Sequence, residues 1–141
     1  MSRLDSYIIA LGRTRDREAL PVLLEKAAAL TADSEFSHFR AIALALESLA
    51  DPAAAPALAR LLRLEGVGGH ALTDVRAAVQ RQQTRTDENR TRGRELAELA
   101  LARALYRCGD HQGLGRKTLE QYAHDIRGLF SRHARAVLKK K

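Results

Sequence analysis

Apolar residues recur along this chain at the spacing of one helix face. Leu20, Leu23, Leu24, Ala27 and Leu30 follow i, i+3, i+4, i+7, the pattern that turns one stripe of an α-helix toward a core. Similar spacing links Phe39, Ile42, Leu46 and Leu49, then Leu58, Leu61 and Leu62. It returns in Leu101, Leu105 and Cys108, and in Leu119, Tyr122, Ile126, Leu129 and His133. Runs of strictly alternating apolar and polar residues, the mark of a strand, do not occur. The pattern predicts helices over 3–12, 17–30, 35–49, 53–64, 73–83, 91–107, 115–126 and 128–139. Thr31 to Ser34 reads as a link in which Ser34 or Asp33 caps the next helix. Glu65 to His70 reads as a glycine-rich loop, and the polar stretch Gln82 to Arg92 as the mobile part of the chain.

The pattern repeats. Ala10 to Leu23 aligns with Ala45 to Leu58, so that Pro21 and Pro56 fall 35 residues apart. A weaker third copy, Ala104 to Leu114, places Asp110 59 residues after Asp51. The excess implies an insertion near 66–90. Each copy reads as helix, tight turn, helix. The aspartates Asp16, Asp51 and Asp110 sit in the turns, where a carboxylate can accept from the free N–H groups that open the following helix. Pro52 suits a first turn. Pro21 and Pro56 either bend their helices or mark the first turn.

Composition agrees with helices: the apolar residues are mostly Ala and Leu, and aromatics make up 4%. At 141 residues the chain is the size of one domain. The single cysteine, Cys108, excludes an internal disulfide. No apolar run is long enough to span a bilayer, and Met1 to Asp5 lacks the layout of a signal peptide. These features give the expectation of a cytoplasmic protein. The net charge of +7 is uneven. Residues 1–70 carry 8 Lys/Arg against 9 Asp/Glu, a balance of −1, and residues 71–141 carry 16 against 8, a balance of +8. The C-terminal half can thus attract an anionic partner.

Candidate chemistry is sparse. Gly66-Val67-Gly68-Gly69-His70 lacks the Lys-Ser/Thr of a Walker A loop and follows no strand, so it reads as a turn and not as a phosphate cradle. Cys108 and His111 have Cys-x2-His spacing, with His124 and His133 downstream. Zinc needs about four ligands placed tetrahedrally, whereas Cys108 lies on an apolar face and the two later histidines point partly apart. Ser37 and His38 are neighbours, but successive helix residues diverge by about 100°. No catalytic, cofactor-binding or metal residue is nominated. The arginines of the second half can neutralise phosphates, and Arg76, Arg81, Arg85, Arg103, Arg107, Arg116 and Lys117 form the candidate anion or nucleic-acid contact set. Trp is absent and aromatics are few, which weakens base stacking.

Ala10 to Pro21 and Ala45 to Pro56 resemble HEAT repeats of the short, PBS-lyase HEAT-like kind. The chain also resembles the C-terminal helical region of large bacterial FAD-dependent oxidoreductases. That likeness runs along Leu30–Ala41, Gly68–Leu72, Ala104–Asp110 and Tyr122–Ala134. It implies a flavin domain upstream, with FAD bound there and no cofactor in this chain. The first resemblance implies an all-α fold, a HEAT-like α-solenoid of about four antiparallel helix pairs. Residues 1–141 would form one domain, with repeats near 3–30, 35–64 and 91–126 and a C-terminal helix near 128–139. The expected function is a non-catalytic scaffold that binds a protein partner or the upstream domain of the same polypeptide. The alternative is a basic helical-repeat protein that binds nucleic acid or anions. The opening helix, with Tyr7-Ile8-Ile9-Ala10-Leu11, lacks the polar outer face of a capping repeat, which points to a covered end.

Overall fold

The computed structural model describes residues 2–83 and 88–140, with the side chains of residues 81–91 excepted. Among the described residues it is all-helical, without strands. The helices are α1 (Arg3–Arg13), α2 (Leu20–Ala28), α3 (Phe36–Leu49), α4 (Ala55–Leu62), α5 (Val75–Gln83), α6 (Glu88–Arg107), α7 (Leu114–Ala123) and α8 (Gly128–Lys139).

Local chemistry accounts for the boundaries. A capping box opens α1: the Ser2 hydroxyl accepts from Asp5 N at 3.1 Å, and the Asp5 carboxylate accepts from Ser2 N at 3.3 Å. The turn aspartates cap as their positions predict. Asp16 accepts from Glu18 N at 2.9 Å and Asp51 from Ala53 N at 2.9 Å. Each capped segment starts as a 3-10 turn, Arg17–Ala19 or Pro52–Ala54. Pro21 and Pro56 then take the first turns of α2 and α4, where no N–H is needed. In the third copy Asp110, Gln112 and Gly113 adopt left-handed backbone. The turn is therefore longer, and Asp110 reaches on to Gly115 N at 2.8 Å and Arg116 N at 2.9 Å.

Two expectations need correction. Neither Ser34 nor Asp33 caps α3: the cap position is Glu35, without a side-chain bond. The Ser34 hydroxyl is already engaged, accepting from Thr31 N at 2.9 Å. The seventh helix stops at Ala123 and not at 126, because Asp125 leaves the helix to tie down a distant loop. The stretch 82–92, expected to be mobile, lies partly outside the described residues, and its 88–92 portion is the start of α6.

In the packing, α1 lies along α3 and α3 along α6. On the other side α2 packs on α3 and α4, and α4 on α6. Helix α7 packs on α6, and α8 on α7. Small residues allow these close approaches. Ala43, Ala45, Ala54, Ala59, Ala102 and Ala104 are fully buried among Leu23, Phe39, Ile42, Leu46, Leu101, Leu105 and Tyr122. Helix α1 crosses α3 closely: a Cβ on Gly12 would stand 2.4 Å from Ala45 Cα. Helix α1 buries Ile8 and Ile9 but leaves Leu4 and Tyr7 exposed.

Candidate functional site

The glycine-rich loop does face a negative charge, and the charge is the protein's own. Glu98, almost completely buried on α6, accepts from Gly69 N at 2.7 Å, from His70 N at 2.9 Å and from the Tyr122 hydroxyl at 2.6 Å. Burial and the adjacent Glu98 carboxylate push the Tyr122 hydroxyl well above its ordinary range, so it stays a donor. The next residues of the loop are tied as firmly. Asp125 accepts from Leu72 N at 2.9 Å and from Arg127 Nε and Nη2 at 2.8 and 2.7 Å. Arg127 also reaches Glu95 at 2.5 Å and lies over the Phe130 ring, 4.4 Å from its centroid. Burial opposes the charge of Arg127, but its bonds to Asp125 and Glu95 outweigh burial and raise its pKa. Removing one partner of such a network strands another.

His38 and Cys108, noted for catalysis or metal binding, are similarly engaged. His38 Nδ1 lies 2.6 Å from Asp5 Oδ1, and the Ser37 side chain also helps to hold the Asp5 pKa down. Serine and histidine thus share one carboxylate, which is not the order of a relay. Cys108 is buried, with its thiol 3.5 Å from Leu46 O. Burial pushes that thiol up to about 12, far from a reactive thiolate. Among the described residues no group of three or more His, Cys, Asp or Glu is placed to hold a metal ion, and no helix is long and apolar enough to cross a membrane.

One face remains. A cleft of about 230 Å³ opens between α3, α6 and α8, lined by Arg40, Leu44, Leu96, Leu99, Ala100, Arg103, Leu129, Phe130 and His133. An open groove continues from it toward the ends of α1 and α3, sharing Leu44 and Arg103 and adding Arg13, Arg15, Glu47 and Arg107. Glu47 orders the junction. Its carboxylate takes Arg103 Nε at 2.9 Å and pairs closely with Arg107. Arg103 also donates to His133 Nε2 at 3.2 Å. Burial, with Arg103 and Arg107 nearby, lowers the pKa of His133. It therefore accepts as the neutral ring, and Glu47 is the one carboxylate in this lining.

Of the contact set read from the sequence, the structure brings Arg103 and Arg107 to this face. Arg116 and Lys117 are exposed on α7, where Arg116 pairs with Glu120 at 3.0 Å. Arg76 is exposed at the start of α5. The side chain of Arg81 and the whole of Arg85 lie outside the described residues. Sequence reasoning missed Arg13, Arg15 and Arg40, because the first 70 residues balance to −1 and conceal a local excess of base. Comparison with protein-family models, with curated proteins and with solved structures found no match to this chain.

Proposed function

We propose that the protein is a non-catalytic helical-repeat interaction module whose binding face is the cleft and groove across α1, α3, α6 and α8. The observation that carries this reading is an apolar cleft that runs into an arginine-lined groove, with five arginines against Glu47 in the combined lining. Leu129, at its edge, is 65% exposed, and an apolar patch rimmed by charge is characteristic of an interaction surface. The side-by-side order of α1, α3 and α6 and the aspartate caps at Asp16, Asp51 and Asp110 support a HEAT-like solenoid, which presents its binding surface along stacked helices. The engagement of Asp5, Glu98, Asp125 and Cys108 in internal bonds favours a scaffold over an enzyme. The likeness to the tail of FAD-dependent oxidoreductases extends the proposal to a chain that works beside a flavin domain.

The test is capture from the source cells on the wild-type chain and on Leu129→Asp, which alters an exposed residue and leaves the core intact. A protein retained by the wild type and lost from the variant supports the reading. Capture of nuclease-sensitive nucleic acid would favour the basic nucleic-acid binder instead, and equal capture by both chains would contradict the face.

A further inference from the structure

Three properties of this face narrow what it can hold. The first is size. Sites for drug-sized molecules and cofactors occupy roughly 300–1,000 Å³, while an apolar cavity of about 150 Å³ accepts a benzene-sized group. The apolar cleft, about 230 Å³, therefore matches one large apolar side chain or two small ones, and the open groove that continues from it, about 570 Å³, leaves room for the segment that carries them. The second is chemistry. Leu44, Leu96, Leu99, Ala100 and Leu129 make the cleft wall largely aliphatic, and its phenyl ring, Phe130, is buried under the Arg127 guanidinium. Bases stack on exposed rings; here Phe130 is covered, and the half-buried His133 ring is held by Arg103 at 3.2 Å. The third is charge. Arg13, Arg15 and Arg40 are exposed around the cleft and groove, while Glu47 is occupied by Arg103 and Arg107. A second copy of this chain, itself carrying +7, would be repelled.

We infer that the face binds an acidic amphipathic segment of a partner protein, with an apolar side chain seated in the cleft beside Leu129 and carboxylates on Arg13, Arg15 and Arg40. The inference rests on the interaction-module reading and adds the partner's chemistry. Helix-in-groove recognition supplies the geometry. Apolar anchors at i and i+4 face the cleft, one of them seated in it, while the flanking acidic residues stay at its rim, and arginine forks suit carboxylates.

The experiment is a fluorescence-anisotropy titration of the full chain with a labelled synthetic helix of about 18 residues, long enough to run about 27 Å. The helix is rich in Glu, with Leu at i and i+4. Companion probes replace Leu by Ser or Glu by Gln, and a single-stranded oligonucleotide tests the other class of polyanion. Binding of the acidic, Leu-bearing helix is expected to weaken at least tenfold in Leu129→Asp and in the Arg13→Glu/Arg15→Glu double variant. Both replace exposed residues, and circular dichroism confirms their folding. The two altered peptides should bind at least tenfold more weakly to the wild type. Equal binding of the Leu-free or Glu-free peptide, or indifference to both variants, overturns the inference. So does tighter binding of the oligonucleotide. If the acidic helix fails while capture from cells still depends on Leu129, the partner chemistry is wrong and the module stands. If both fail, the face itself is refuted.

Discussion

Replacing Gly12 by Ala sets two effects of opposite sign against each other. In a helix, Ala is better than Gly by about 0.5–1 kcal/mol. Gly12, however, lies where α1 crosses α3. An added Cβ would meet Ala45 Cα at 2.4 Å, Ala45 O at 2.6 Å and Ala45 Cβ at 2.7 Å. Carbon atoms pack at roughly 3.5–4.0 Å, so α1 must withdraw by about 1 Å, and backbone cannot swing aside as a side chain can. Withdrawal also loosens Ile8 and Ile9 in the core and stretches the Asp5–His38 pair at the same interface. Overpacking costs about 1–3 kcal/mol, which exceeds the propensity gain. Gly12→Ala is expected to destabilise by about 1–2 kcal/mol and to lower Tm by about 3–8 °C for a domain of this size. Differential scanning calorimetry and urea denaturation read both quantities. Pairing the change with Ala45→Gly should not restore stability, because the two nearest atoms are backbone atoms that glycine keeps. A raised Tm in Gly12→Ala would mean that propensity wins and that α1 does not seat on α3.

Burial pushes the Asp5 carboxyl up, but its bonds to His38 and Ser2 outweigh burial and hold its pKa below the ordinary value. Its contribution is thus present above about pH 3.9 and lost as pH falls toward the folded value. Asp5→Asn should cost about 1–3 kcal/mol at pH 7, and urea titrations should show the gap from wild type narrowing by pH 3. A gap independent of pH would refute the role of the ionised Asp5 carboxylate. Glu98→Gln should speed hydrogen exchange at the Gly69 and His70 amides, which donate to that carboxylate, and unchanged protection would contradict the internal lock. Cys108, with its thiol pushed up to about 12, is thiolate in about one molecule in ten thousand at pH 8. It should react with a disulfide reagent only on unfolding, and prompt reaction of the native chain would place it at the surface.

The helices were legible because their causes are local. Leu20 to Leu30 and Phe39 to Leu49 carry their own periodicity, and Asp16, Asp51 and Asp110 cap groups a few residues ahead. The chemistry of the loops was not legible, because it joins distant positions. Nothing near Gly69 announces Glu98, 29 residues on, and nothing near Leu72 announces Asp125, 53 residues on. Once Glu98 is seen, the glycine-rich loop is understood as a cradle already filled. Ser34 misled because its oxygen can satisfy either the helix start or the preceding turn, and the turn takes it. The candidate face was half visible. Arg103 and Arg107 stood out in a basic half, while Arg13, Arg15 and Arg40 acquire meaning only when α1, α3 and α6 lie side by side.

The binding face is tested most directly by placing a photocrosslinking amino acid at Leu129 and, separately, at Val22 in the chain expressed in its source cells. Both positions are exposed, at 65% and 47%, but Leu129 borders the cleft and Val22 lies on α2. A discrete protein adduct is expected from position 129 and none from position 22. Equal adducts from both positions, or an adduct at position 129 made of nucleic acid, would contradict the binding face.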